Sequence, residues 1–181
     1  KADFKEVKKI LDVAYLRYHQ APFVQDDPIT VPHRFSKKQD IEISGFLIAT
    51  IAWGNRKSII RSGEKLLELM HHSPHDFILN HKPKDLKKFE DFKHRTFQPA
   101  DLLYFIHRLK KHYSTNDSLE SMFSDGMDRD DEDIQNGLIH FHDSFFADEF
   151  APVRTRKHVA TPARKSACKR LNMFLRWMVR P

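Results

Sequence analysis

The sequence predicts an all-α fold, a compact bundle of seven to nine helices. Three observations carry this. Apolar residues recur at helical spacing in most segments, and no stretch alternates with the period of two that a half-buried strand needs. Asn, Ser, Asp and Pro stand where helices of ordinary length would start. No repeat of 20–50 residues is visible. The chain has 181 residues, with 40% hydrophobic and 31% charged side chains. That suits a single globular domain over residues 1–181 rather than a disordered segment.

The elements follow in order. Asp3 to His19 puts Phe4, Val7, Ile10, Leu11 and Ala14 on one stripe, an amphipathic helix. Residues 20–36 hold Pro22, Pro28 and Pro32 and read as an irregular connection. Ser36-x-x-Gln39 has the form of a capping box before a helix over about 37–52. That helix is apolar nearly all round from Ile43 onward (Phe46, Leu47, Ile48, Ile51), the mark of a central helix. Trp53-Gly54-Asn55 ends it, and Asn55 caps a helix from Arg56 to about Met70. Ser73-Pro74 starts a short helix through Leu79, and Asp85 to Phe92 adds a turn or two. Gln98-Pro99 opens a helix to Tyr113, and Asp117 one to Phe123. The acidic run Asp130 to Asp133 precedes a helix ending near Phe146, since carboxylates suit a helix N-terminus. A basic loop over 147–165 leads to a last helix from Ser166 to Val179.

Several function classes are excluded or disfavoured. Five glycines, none in a Gly-x-Gly-x-x-Gly or P-loop register, leave no nucleotide-cofactor motif. The longest uncharged apolar run, Ile43 to Gly54, falls short of the ~20 residues that span a bilayer. No secretory signal opens the sequence, and one cysteine makes no internal disulfide, so a cytoplasmic setting is expected. Cys168 reads as a buried, inert thiol inside the last helix. His71 and His75 have metal-ligand spacing, but Ser73-Pro74 breaks the helix between them. His140 and His142 point about 200° apart on one helix. Asp125 to Asp133 lacks the register of a calcium loop. No metal and no cofactor is expected.

Charge is distributed unevenly. The net +6 comes from 31 basic and 25 acidic side chains. Residues 151–181 carry nine basic groups and no acid, so the preceding 150 residues are net negative. Those cations are interleaved with an apolar helical pattern, unlike a solvated tail, and they form a candidate polyanion-binding edge.

Two segments carry chemistry. Trp53, Asn55, Arg56 and Lys57 share one turn, an aromatic, an amide and two cations suited to wedge among stacked bases; the plainer alternative is that Trp53 packs and Asn55 caps. In the last helix, Ala167, Leu171, Phe174, Leu175 and Met178 form the apolar stripe. Lys169, Asn172, Arg176 and Arg180 line the opposite face. Upstream, Arg154, Arg156, Lys157, His158 and Arg164 have the chemistry to hold phosphates.

The strings D-P-I-x-x-P-H at Asp27–His33, A-W-G-N-R at Ala52–Arg56, R-T-R-K-H at Arg154–His158 and K-R-L-N-M-F-L-R-W-M-V-R at Lys169–Arg180 resemble a bacterial family of unknown function over nearly the whole chain. That family in turn resembles the helix-hairpin-helix base-excision DNA glycosylases. The Gly45–Leu66 unit is similar to their buried helix, wedge turn and second helix, and Phe174-Leu-Arg176 to a string in some oxidised-guanine enzymes. The resemblance implies Lys169, or Lys165 under a shifted alignment, as an amine nucleophile on a damaged nucleotide's sugar. It also implies a catalytic aspartate beyond residue 181, so the chain is expected to continue. Thr161-Pro-Ala-Arg-Lys165 stands where those enzymes have a phosphate-clamping Gly-x-Gly. The expected function is glycosylase-like nucleic-acid binding, with DNA as partner and RNA as the alternative. Rival readings are a non-catalytic binding module and a helical protein-interaction scaffold.

Overall fold

The computed structural model describes residues 3–20, 24–25 and 27–179. Pro22 and Arg180 therefore lie outside the described residues. The helices are α1 (Phe4–Tyr18), α2 (Lys38–Ile51), α3 (Arg56–Leu69), α4 (Pro74–Asn80), α5 (Pro83–Leu86), α6 (Pro99–Tyr113), α7 (Ser121–Ser124), α8 (Gln135–Phe145) and α9 (Lys169–Val179). Short 3-10 turns join them. Among the described residues there is no strand, only an isolated bridge between His94 and Phe97.

α2 is the axis of the fold. Every residue from Glu42 to Ile51 is buried, so the helix has no wet face beyond its first turn. Phe46 sits at its centre, with ring centroids 5.3–5.8 Å from Phe105 of α6, Phe141 and Phe145 of α8, and Phe174 of α9. Four helices thus meet on one aromatic ring, mostly edge to face, the arrangement that aligns ring quadrupoles favourably. Gly45 lets α9 close on α2. A β-carbon there would stand 2.9 Å from Met178 Cε and 3.4 Å from Phe174 Cε2.

A buried carboxylate closes the other end. Glu42, 5% exposed, accepts hydrogen bonds from Tyr113 Oη (2.7 Å), Ser118 Oγ (2.5 Å) and the Leu119 amide (3.0 Å). These partners fasten the end of α6 and the following turn to α2. Burial and the Glu42 carboxylate push the Tyr113 phenol well above its usual range. At the far end of α8, Tyr104 Oη and Arg108 Nε both donate to the Phe145 carbonyl, at 2.7 and 2.9 Å, satisfying an orphan carbonyl of the last turn.

Several expected boundaries shift. Ser36 does not cap α2: the cap position is Lys37, and Gln39 instead reaches Asp117 O at 3.1 Å. The last helix starts at Lys169 rather than Ser166, because Cys168 takes a left-handed φ of 47° that interrupts helical geometry. Cys168 is buried, as expected, but just ahead of the helix; burial raises its thiol pKa. Between Asp117 and Phe123 only the segment from Ser121 is helical. α1 forms from an Asp3 cap, yet its apolar stripe stays exposed, with Phe4 at 79% and Ile10 at 67%.

Phe46→Ala deletes the ring on which four helices converge. Urea unfolding should report a loss of about 3–5 kcal/mol. A loss under 1 kcal/mol would mean the four-helix junction is not where the core is held.

Candidate functional site

The site begins where α2 stops. The Trp53 amide bonds back to Ile51 O at 2.7 Å, and Gly54 turns the chain at φ 100°. Asn55 Oδ1 then accepts the Ser58 amide at 3.3 Å as cap of α3. A side chain at Gly54 would meet Arg95 Nη1 at 2.7 Å, so Arg95 lies directly against the turn. Arg95 reaches it from a tight reversal, in which His94 and Phe97 exchange backbone hydrogen bonds of 3.0 and 2.9 Å.

Trp53 is half-buried, and three groups surround its ring. His158 lies near-parallel to it at 5.9 Å and 20°, His94 meets it edge-on at 5.5 Å, and the Arg170 guanidinium sits 4.8 Å from its centroid. Arg170, the second residue of α9, also donates to the Thr50 carbonyl. Both the packing and the cap anticipated for this turn are present, and the turn faces the start of the last helix.

The R-T-R-K-H segment folds into a 3-10 turn around a carboxylate. Asp101, in the first turn of α6, is fully buried. Its Oδ1 accepts Thr155 Oγ1 at 2.7 Å. Its Oδ2 accepts the Gln98 amide at 2.8 Å and pairs with Arg154 Nη1 at 3.0 Å. His158 Nε2 comes within 3.3 Å of the same oxygen, but out of line, and makes no hydrogen bond. Arg156 instead covers the Phe146 ring at 5.3 Å and donates to the Phe146 carbonyl.

Trp53, Thr96, Lys157, His158 and Arg170 line an open cleft of about 370 Å³. Burial lowers the pKa of His158; Asp101 opposes that shift, while Lys157, Arg170 and Arg154 reinforce it. Burial likewise lowers His94, whose Nδ1 lies 2.8 Å from Ser62 Oγ. Arg170 is pushed down by burial alone, but a guanidinium keeps its charge at any working pH. The cleft is therefore cationic, with one flat aromatic wall.

The sequence-predicted residues separate into groups. Trp53, Lys157 and His158 share the cleft. Arg154 and Arg156 flank it and are engaged in holding the fold. Asn55, Arg56 and Lys57 are exposed at the start of α3, and Arg164, Lys165 and Lys169 are exposed around the start of α9. Lys169 is the first residue of α9 rather than one turn in. Asn172 and Arg176 line a different, mostly apolar groove of about 710 Å³ between α9 and α7, and Asn172 Nδ2 bonds Ala167 O at 3.0 Å. Sequence reasoning missed Asp101, His94, Arg95 and Thr96. The nearest signal was Gln98-Pro-Ala-Asp101, which has capping-box spacing but says nothing about the distant partners of Asp101. Among the described residues, no group of acidic, His and Cys side chains has metal-holding geometry.

An all-helical protein with a half-buried, aromatic-backed cation cleft is what the fold and site define. Residues 27–181 match a family described as protein of unknown function (DUF2400), and the chain belongs to that family. No curated protein and no solved structure matches the chain.

The buried histidines predict a pH dependence of stability. His94 and His158 have folded pKa values below the 6.5 of the free side chain. As pH falls through 6.5 the unfolded chain takes up protons that the folded state refuses. Their contribution is therefore complete above pH 6.5 and is lost as pH drops toward the folded values. Melting followed by circular dichroism should show the midpoint falling between pH 7 and pH 5, less steeply in His94→Gln. A midpoint that does not move would contradict the neutral, buried rings.

Proposed function

We propose that this protein binds nucleic acid, DNA foremost, on the face where the Trp53 turn meets the start of α9. The carrying observation is Arg170: a half-buried guanidinium lying over Trp53, with no carboxylate partner among the described residues, opening with Lys157 onto the cleft. A guanidinium bonded only to a backbone carbonyl and an indole face keeps most of its five N–H donors for a ligand. Phosphate suits that fork geometry. Arg95, Lys57 and Lys169 add exposed cations around the same face.

The reading extends to a glycosylase-like scaffold. Its support is the succession of buried α2, the Trp53 turn and amphipathic α3, set against a last helix that begins with Lys169. Thr161–Lys165 has no glycine, yet Lys165 adopts φ 58°, the left-handed conformation for which glycine is the usual choice. If the amine of Lys169 attacks a sugar C1′, the glycosidic bond breaks and the base leaves with the amine's proton; the C1′–O4′ bond then opens, O4′ takes a proton, and the iminium on that nitrogen is reducible by borohydride.

Fluorescence anisotropy with labelled duplex and single-stranded oligonucleotides tests binding. With four or five phosphates contacted, log K for duplex should fall with log salt at a slope of about −4. Arg170→Gln and Lys157→Gln should each make the slope shallower by about one. Arg154→Gln should act on the melting temperature instead, since Arg154 holds Asp101. No binding at about 50 mM salt, or affinity indifferent to salt, would sink the reading and favour a protein partner.

Borohydride trapping on abasic and damaged-base oligonucleotides tests the chemistry. An adduct should form with wild type and vanish in Lys169→Gln with binding nearly unchanged. Tight binding with neither adduct nor base release leaves a binding module without lyase activity.

A further inference from the structure

We propose that the cleft is a seat for one phosphate-class oxyanion, and that filling it draws a proton from solvent onto His158. The inference rests on the nucleic-acid reading above and gives that face its ligand chemistry.

The argument starts from charge neutrality. Asp101 and Arg154 form a pair at 3.0 Å, so the carboxylate behind the cleft is already compensated. The groups lining the cleft then carry two uncompensated cations, Lys157 and Arg170, beside Thr96 and the Trp53 ring. Among the described residues neither cation has an ion-pair partner. Two cations without ion-pair partners that open onto one cleft are the groups an oxyanion would meet there.

His158 supplies the second, independent observation. The residue is 4% exposed, lines the cleft, and its Nε2 is buried without a hydrogen bond. An orphaned polar atom at that depth is rare and calls for an explanation. Protonation supplies one. A protonated ring carries a positive charge, so the 3.3 Å approach of Nε2 to Asp101 would become an ion pair without realignment. What opposes it in the empty site is burial first, and charge second. Facing the ring are Arg154 and Lys157 from its own turn, Arg170 from α9, and the single carboxylate Asp101 from α6, with Trp53 and Phe97 as apolar walls. The three cations add to the cost of burial, and Asp101 works against both. An oxyanion bound between Lys157 and Arg170 reverses that balance and favours the charged ring. Binding and proton uptake are thus coupled, and affinity for an anion of fixed charge must rise as pH falls.

Sulfate is the probe, because its charge is constant over pH 5.5–7.5, and a 12-base DNA strand is the competitor. Calorimetry of the whole chain should show sulfate binding about tenfold tighter at pH 5.5 than at 7.5, the equivalent of one pH unit of linkage. Repeating it in two buffers of different ionisation enthalpy should give a net uptake of about half a proton at pH 6.5. Arg170→Gln should weaken sulfate at least about tenfold. His158→Gln should remove the pH dependence; if that variant does not fold, the two-buffer proton count on wild type decides. No sulfate binding at millimolar concentration, or binding without proton uptake, overturns the inference even where DNA still binds. DNA that displaces sulfate assigns the seat to a backbone phosphate. Sulfate bound with proton uptake but indifferent to DNA supports a seat for a free anion and removes the support for nucleic-acid binding.

Discussion

Asp101 takes a full negative charge out of water, and the geometry of the cleft follows from how that charge is satisfied. A bare carboxylate at such depth costs several kcal/mol, so it demands donors. It recruits them from two places. The Gln98 amide comes from its own helix start, where the dipole also favours a negative charge. Arg154 and Thr155 come from more than fifty residues downstream. This pairing pins the 3-10 turn of residues 153–158 onto α6. Lys157 and His158 are carried with it, one exposed at the cleft and one buried beneath it.

The opposite wall is set by helix packing rather than by charge. Phe46 locks α2 against α6, α8 and α9, and Gly45 removes the one side chain that would hold α9 away. With α9 seated this closely, Arg170 reaches the Thr50 carbonyl at the end of α2 and lies over Trp53. The aromatic core thus positions the guanidinium. A site on the ends of two packed helices and a pinned turn is held on rigid elements.

Much of the fold was legible because helix signals are local. The 3.6-residue period placed α1, α2, α3 and α6 closely, and Asn55 caps as its type and position suggest. The failures are instructive. Ser36-x-x-Gln39 reads as a capping box, yet Gln39 is drawn across to Asp117 by tertiary contact. Cys168 interrupts the last helix although nothing in its side chain forbids helical geometry. The site was half legible. Trp53, Lys157 and His158 stood out as chemistry in basic or glycine-marked segments. Asp101 did not, because burial of an acid is decided by residues far away in sequence. Arg170 was hidden by its neighbour Lys169: both are cations on one helix, and only the rotation of α9 against α2 decides which one faces Trp53.

That rotation also changes how the basic C-terminal segment is to be understood. Nine cations and no acid suggest a uniform polyanion surface, but the structure assigns them different tasks. Arg154 neutralises Asp101, and Arg156 shields Phe146 and its carbonyl. Arg176 faces the apolar groove on the other side of α9. A cation already matched to a carboxylate contributes little field at a distance, because pair and partner appear as a dipole that water screens. What attracts an anion is the unmatched remainder, and around the cleft that remainder is Lys157, Arg170, Arg156 and Arg95, backed by exposed Lys169. Affinity should therefore track which cations lack partners rather than the segment's net charge, and the cleft is where that excess is least screened by water.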